Sequence, residues 1–273
     1  MGNVAQTNVA SLNAQRNLFR TNNDLQTSFQ RLASGFRINS ARDDAAGLVI
    51  SNQLSSQIVS LNVSIRNAND GISLAQTAEG ALQEVTNLLL RARELSISAA
   101  SGQNSTAARA ALDAEFQDIQ DEIVRIGENT EFGGQVLLDS TTNFVIQVGQ
   151  DSGQVISVDT VDITAGAVAT FTSYTGITTA TLADGGLDEI DAAITAVDTA
   201  RGTLGAQQNR LSSTIANLQN VVENVSASRS RIRDTDFAAE TANLAKNQIL
   251  QQAGLSVLAQ ANASNQSILS LLQ

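Results

Sequence analysis

The sequence contains no proline, cysteine, histidine or tryptophan among its 273 residues. Without cysteine there can be no disulfide bond and no thiolate nucleophile. Without histidine the chain lacks imidazole acid–base chemistry and the common zinc sites. The absence of proline removes the residue that most often breaks a helix. The composition therefore argues against a conventional enzyme and favours long uninterrupted helices.

Aromatic residues are also scarce, at 3% of the chain, although 42% of the residues are hydrophobic. A core built from Leu, Ile, Val and Ala suits the narrow seam between packed helices better than a thick globular interior.

The net charge of −11 is unevenly distributed. Residues 51–200 contain 5 arginines and 20 acidic residues, whereas residues 1–50 contain 5 arginines and 3 aspartates. Residues 201–273 contain 6 basic and 4 acidic residues. The acidic middle is expected to repel nucleic acid and anionic membranes, so neither is predicted as a partner.

Long hydrophobic runs are missing, the longest being a few residues such as 88–90. A membrane-spanning helix needs roughly 18 or more apolar residues in succession. The first 17 residues have neither the basic start nor the continuous apolar stretch of a secretory signal. If the protein is secreted, we expect export without a cleaved signal peptide.

Apolar spacing in the first half predicts a helix over about 4–34, capped at Gly35, and a second helix over about 45–99. Ser40, with Asp43 three residues further on, is predicted to cap the start of the second helix. The second helix would be about 80 Å long at 1.5 Å per residue. Its apolar residues alternate at spacings of three and four, with one slip at Ile72–Ala75–Ala78, which is typical of a coiled coil with a local stammer. A shorter helix is then expected to end at Gly127.

Short β-branched segments at 143–149 and 155–158 predict a hairpin, and the threonine-rich segment 164–181 predicts exposed strand and loop. The return helix has strict three–four spacing, interrupted by Arg201, Gln208 and Arg229, which are predicted to fix its register. The final helix has Leu250, Gly254, Val257, Ala261, Ile268 and Leu272 on one face.

These patterns predict a mainly α fold, a long antiparallel coiled-coil-like rod with a small β-hairpin region, in which the N- and C-terminal helices pair. We assign five regions: an inner-core helix (1–44), rod helices (45–130), a β-rich cap (131–183), a return rod helix (184–234) and a C-terminal inner-core helix (235–273). Surplus apolar surface at both ends predicts self-assembly into an open helical filament. The predicted assembly residues are Leu18, Leu25, Phe29, Leu32, Leu250, Val257, Ile268 and Leu272.

Three segments resemble the terminal signatures of bacterial flagellins: 32–47, 66–82 and 245–262. The likeness covers roughly residues 1–140 and 185–273, with only a short segment between them, so the chain is similar to a short flagellin without large outer domains. The tail departs from the family, since it ends in Gln273 where many members have arginine.

The resemblance implies a structural subunit of the flagellar filament, exported unfolded through the flagellum's own channel. It also implies the partners of such a subunit: further copies of itself, the export apparatus, an export chaperone, the filament cap and hook-junction proteins. Segment 88–95 resembles the part of many flagellins that a mammalian Toll-like receptor senses, with Arg91, Leu95 and Glu115 at contact positions.

Two other functions are considered. A hook–filament junction protein shares flagellin-like termini, but the density of the signatures favours a filament subunit. Catalysis or cation binding at the acidic cluster Asp184, Asp188, Glu189 and Asp191 is disfavoured, because acidic residues at a helix N-terminus already stabilise the helix dipole. We therefore predict no enzyme activity, no cofactor and no metal site.

Overall fold

The computed structural model describes residues 7–139 and 143–270 and is mainly helical. This confirms the predicted fold class. In chain order the elements are α1 (Val9–Ser34), α2 (Ala45–Ala100), α3 (Thr106–Asn129), β1 (Glu131–Phe132), β2 (Gln135–Val136), β3 (Asn143–Gln147), β4 (Val155–Asp159), α4 (Gly166–Thr172), α5 (Ala180–Arg233) and α6 (Phe237–Ser270). The chain forms two compact units. Unit 1 is drawn from both ends, up to Ser56 and from Asn224, and unit 2 runs from Gln57 to Glu223.

The helix boundaries near residue 40 follow from local capping. Gly35 adopts the left-handed conformation (φ 74°) and donates its N–H to Arg31 O, which confirms the predicted cap of α1. The predicted cap of α2 at Ser40 is wrong. Asp44 Oδ1 accepts the N–H of Gly47 at 2.9 Å, so Asp44 is the N-cap. Asp43 instead accepts hydrogen bonds from the backbone N–H groups of Ser40 and Asn39, and these lower the pKa of Asp43.

The buried face of α2 is more regular than the sequence pattern predicted. From Leu61 to Ala99 it alternates three and four residues without the predicted slip, because Ser64 and Gly71 occupy core positions while Ile65 and Ile72 are only partly buried. A Cβ added at Gly71 would lie 3.1 Å from Ile146 Cγ1. Close packing therefore selects a small residue there. The full face is Leu61, Ser64, Ala68, Gly71, Ala75, Ala78, Leu82, Val85, Leu89, Ala92, Ser96 and Ala99.

Polar side chains of α5 reach across to α2, in agreement with the predicted register-fixing role. In unit 2, Arg201 Nη2 donates to Gln83 Oε1 at 2.5 Å, and Gln208 Nε2 donates to Glu79 Oε2 at 2.8 Å. The order of these pairs along the chain makes the two helices antiparallel. In unit 1, Arg229 Nη1 lies 3.4 Å from Ser55 Oγ.

Helix α3 continues through Gly127 to Asn129, so the predicted end at Gly127 is wrong. Gly127 is buried, and an added Cβ would lie 2.9 Å from Ile163 Cγ1. The glycine is therefore required by the close approach of Ile163. The predicted hairpin is confirmed, with β3 and β4 antiparallel from Asn143↔Asp159 to Gln147↔Val155.

Segment 164–181 is not the exposed strand and loop that its threonines predicted. It forms the short helix α4, and it buries Val168, Phe171 and Ile177. The Phe171 ring packs edge-on against Phe116 of α3, with centroids 5.4 Å apart. Three large apolar side chains thus anchor a segment whose other residues are small or hydroxylated.

Side chains of α3 hold the backbone of this segment. Buried Asp113 accepts the N–H of Ile177 through Oδ1, and Gln120 Nε2 donates to Phe171 O at 2.6 Å and to Tyr174 O at 3.2 Å. These hydrogen bonds satisfy polar backbone groups inside unit 2. Without them, burial of each group would cost its full desolvation free energy. No sequence pattern pointed to Asp113 or Gln120.

Candidate assembly interface

The pairing of the terminal helices is confirmed, and it forms unit 1. Helices α1 and α6 run antiparallel, since Asn8 Nδ2 donates to Ala261 O at 2.9 Å and Gln251 Nε2 donates to Asn22 Oδ1 at 2.7 Å. The least exposed positions follow three–four spacing on both helices. On α1 they are Ser11, Ala14, Leu18, Thr21, Leu25 and Ser28; on α6 they are Leu244, Asn247, Gln251, Gly254, Leu258 and Ala261.

The two helices approach closely where α6 has a glycine. A Cβ added at Gly254 would lie 3.0 Å from Leu18 Cγ, so a larger residue there would require the Leu18 side chain to shift. At the other end of the pair, Arg31 Nη1 lies 3.6 Å from Glu240 Oε2, and Glu240 is buried. The seam therefore combines small residues, a few aliphatic residues and one largely buried charge.

The predicted assembly residues separate into two groups. Leu18 is 9% exposed, and Leu25 and Leu32 are partly buried, so these three face the helix pair. Phe29, Leu250 and Val257 are 51%, 46% and 56% exposed. Ile268 and Leu272 fall outside the residues whose side chains the structure describes.

The placement of Leu250 and Val257 corrects the predicted α6 face. Gly254 and Ala261 do face α1, but their neighbours in the seam are Gln251 and Leu258. Leu250 and Val257 flank the seam and line a groove of about 390 Å³ between the two helices. The predicted face combined the two small residues with Leu250 and Val257, whereas the contact combines them with the amide Gln251 and with Leu258.

Exposed apolar side chains are concentrated in unit 1. Of the 18 large hydrophobic residues that are exposed in the described part of the chain, 11 belong to this unit. They are Val9, Leu12, Phe19, Phe29, Val49, Ile50, Phe237, Ile249, Leu250, Leu255 and Val257. Such a density of exposed apolar surface is typical of an interaction surface. Leu12, Phe19, Ile249 and Leu255 were not among the predicted assembly residues, although their side chains are large and apolar.

The three candidate receptor contacts lie in unit 2 and differ in accessibility. Arg91 Nη2 forms an ion pair with Glu115 Oε1 at 2.7 Å, and Arg91 Nη1 lies 3.0 Å from Glu94 Oε2. The hydrogen bond to Glu115, and next that to Glu94, raises the pKa of Arg91, so it is charged at any physiological pH. Leu95 is only 3% exposed and belongs to the core, which excludes it as a surface contact in the folded chain.

One member of the acidic cluster at the start of α5, Asp191, pairs with an arginine of α2. Asp191 Oδ1 lies 2.8 Å from Arg93 Nε of α2, and this hydrogen bond lowers the pKa of Asp191. Within residues 7–139 and 143–270 there is no cluster of three or more Asp, Glu, His or Cys side chains suited to holding a metal ion. Over the same residues, no helix is both long and apolar enough to cross a membrane.

Comparison with known families gives matches at both ends of the chain. Residues 5–143 match the bacterial flagellin N-terminal helical region, and residues 187–272 match the bacterial flagellin C-terminal helical region. A flagellin of Halalkalibacterium halodurans is 45% identical over 271 residues, which cover 99% of this chain and 100% of the relative. Flagellin B of Vibrio anguillarum is 38% identical, and the alignment covers 97% of this chain and 98% of that relative. That alignment extends over 369 positions, more than the 273 residues here, so the Vibrio protein has additional residues.

Solved structures agree with these sequence matches. The crystal structure of Bacillus cereus flagellin is similar with a TM-score of 0.52 and 32% identity, over 56% of this chain and 88% of that one. A putative flagellar hook-associated protein from Vibrio parahaemolyticus has a TM-score of 0.60 at 15% identity, over 70% of this chain and 100% of that one. The second likeness is one of fold alone.

Proposed function

Because the chain belongs to the bacterial flagellin family, we propose that α1 and α6 of each copy build the inner core of a filament against the same helices of other copies. The chain is a structural subunit of the flagellar filament, and flagellins assemble into homopolymers. The observation that supports the proposed surface is the concentration of exposed apolar residues in unit 1. Burial of that surface between copies would be favourable by about 25 cal/mol per Å².

In this proposal the five regions of the chain have separate tasks. Residues 1–44 and 235–273 are the inner-core helices, residues 45–130 and 184–234 are the rod helices, and residues 131–183 are the β-rich cap of the rod. The predicted assembly residues Phe29, Leu250 and Val257 supply contacts between copies, while Leu18, Leu25 and Leu32 hold α1 against α6. The protein has a structural role and no catalytic one.

Seeded growth tests the proposal directly. Purified full-length monomer is mixed with short filament fragments and observed by electron microscopy. We expect the fragments to lengthen, because each end presents unit 1 surfaces that an added copy buries. Monomer alone at the same concentration is the control. Fragments that fail to lengthen over a range of monomer concentrations would contradict assembly by this chain.

We also propose that the chain leaves the cell without a cleaved signal peptide, through the flagellar export apparatus. The exposed side chains of α6, including Ile249 and Leu255, need protection from water before assembly, and an export chaperone would supply it. At the growing end, the filament cap and the hook-junction proteins would be its further partners.

The hook–filament junction alternative is not favoured. Both terminal matches are to flagellin regions, and the Halalkalibacterium flagellin matches over its whole length. The hook-associated neighbour shares 15% identity, which carries only the fold.

We further propose that Arg91 and Glu115 form part of a contact with a mammalian Toll-like receptor, as the segment 88–95 suggests. Both side chains are about half exposed and joined across α2 and α3. We expect the Arg91→Ala, Glu115→Ala double variant to lose at least tenfold in potency in a receptor reporter assay with monomer. An Arg125→Ala, Glu122→Ala variant, which removes another exposed ion pair of α3, is the matched control. Equal potency of the first variant and the unmodified chain would exclude this contact.

A further inference from the structure

Two connectors between the long helices contact each other inside unit 1. Residues 35–44 connect α1 to α2, and residues 234–236 connect α5 to α6. Phe36 of the first connector and Asp234 of the second form an antiparallel bridge. The two connectors are far apart in the chain, so the bridge is a tertiary contact that joins the end of α1 to the end of α5. We use the name clasp for the two connectors together with Arg233, the last residue of α5.

Backbone hydrogen bonds lie on both sides of this bridge. The N–H of Arg37 donates to Arg233 O at 2.7 Å, and the N–H of Thr235 donates to Gly35 O at 2.9 Å. Each side of the clasp therefore supplies one donor to the other. Because each bond joins the two sides, neither bond can form while one side is displaced.

Side chains hold the two sides of the clasp together as well. The guanidinium of Arg233 lies over the ring of Phe36, with Cζ 4.2 Å from the ring centroid. A guanidinium in this position is attracted by the negative face of the aromatic ring. Arg37 Nη2 donates to Ile232 O at 2.6 Å, which ties the first connector to the last turn of α5.

Burial in the clasp also has a cost. Arg233 Nε and Thr235 Oγ1 are buried, and neither atom has a hydrogen-bond partner among the described residues. A buried polar atom without a partner carries its full desolvation penalty. The clasp therefore combines favourable contacts with two unsatisfied polar atoms, which would gain hydrogen bonds to water if the clasp opened.

We propose that the clasp is a two-state joint in which both connectors open and close together. The Phe36–Arg233 contact favours the closed state, and the two unsatisfied polar atoms favour the open state. The connectors are the covalent links from the paired helices α1 and α6 to α2 and α5, so opening frees both links in one step. The clasp acts within a single copy and does not depend on the proposed function.

Amide hydrogen exchange in the full-length monomer tests this joint, because exchange of a protected amide reports how often its hydrogen bond opens. The amides of Arg37 and Thr235, one from each connector, should have protection factors within threefold of each other. Phe36→Ala removes the ring that contacts Arg233 and should speed exchange of both amides at least tenfold. Thr235→Val replaces the unsatisfied hydroxyl with a methyl group of similar size and should slow exchange of both amides at least twofold.

Two matched controls make the same substitutions away from the clasp. Phe29→Ala changes a 51% exposed side chain of α1, and Thr199→Val changes an exposed threonine of α5 whose hydroxyl donates to Thr195 O. Both controls should leave the two amides within 1.5-fold of their unmodified exchange rates. If Phe36→Ala speeds exchange at Arg37 alone, the connectors open independently and the inference is overturned. Faster exchange in Thr235→Val also overturns it, because the hydroxyl would then stabilise the closed state.

Discussion

Deletion of residues 1–30 is expected to abolish elongation of filament seeds. The deletion removes most of α1 and with it the α1–α6 seam, including Leu18 in its contact at Gly254. It also removes Val9, Leu12, Phe19 and Phe29, four of the eleven exposed large hydrophobic residues of unit 1. Both the internal pairing and the surface between copies are lost, so we expect no measurable growth rather than slower growth.

Deletion of residues 244–273 is expected to have the same effect, because it removes the other half of the seam. The control for both truncations is the state of unit 2, which contains Tyr174, the single tyrosine of a chain without tryptophan. The Tyr174 hydroxyl donates to Leu182 O at 2.7 Å within unit 2, so tyrosine fluorescence reports on the folding of that unit. An unchanged thermal transition of this signal would show that unit 2 is intact. Normal elongation by either truncated chain would refute assembly through the paired ends.

Phe116→Ala is expected to lower the free energy of unfolding of unit 2 by about 3–5 kcal/mol, the usual cost of removing a fully buried phenylalanine side chain. Phe116 is 0% exposed and packs edge-on against Phe171, which is also 0% exposed. The cavity would lie between α3 and α4. The surroundings cannot readily collapse into it, because Asp113 and Gln120 hold the backbone of the α4 segment in place.

Urea unfolding followed by Tyr174 fluorescence measures this loss of free energy. Tyr174 lies three residues after Phe171, and its backbone carbonyl accepts a hydrogen bond from Gln120, so its fluorescence is sensitive to the packing of α4 on α3. Phe19→Ala is the matched control, because the same substitution at a 71% exposed site of unit 1 should change the stability of unit 2 by less than about 0.5 kcal/mol. A loss below about 1 kcal/mol for Phe116→Ala would mean that α4 does not pack on α3 as described.

Local and periodic features of this protein were predictable from the sequence. The left-handed Gly35, the β3–β4 hairpin and the register-fixing polar residues of α5 all follow from residue type and spacing over a few turns. The family signatures are contiguous stretches of sequence, so the resemblance does not depend on contacts between distant segments.

The errors arose where tertiary contacts select small residues. Ser64 and Gly71 lie in the seam of α2, and Gly254 lies in that of α6, because neighbouring elements approach too closely for a larger side chain. A pattern that follows large apolar residues passes over Ser64 and Gly71. In α6 the predicted face included Gly254, but it placed Leu250 and Val257 beside that glycine, where the structure has Gln251 and Leu258. Gly127 was misread for the same reason, as a helix end rather than the site of contact with Ile163.

The class of fold, the pairing of the two ends and the family could be predicted from the amino-acid sequence, because they depend on periodicity and on motifs that are contiguous in the chain. Which apolar residues remain exposed could not be predicted in this way, because it depends on contacts between distant segments. Leu95 is buried while Phe19 and Leu250 are exposed, and their chemical similarity conceals this difference. Exposure depends on the rotation of each helix about its own axis. The close contacts at small residues set that rotation, and they join segments far apart in the chain.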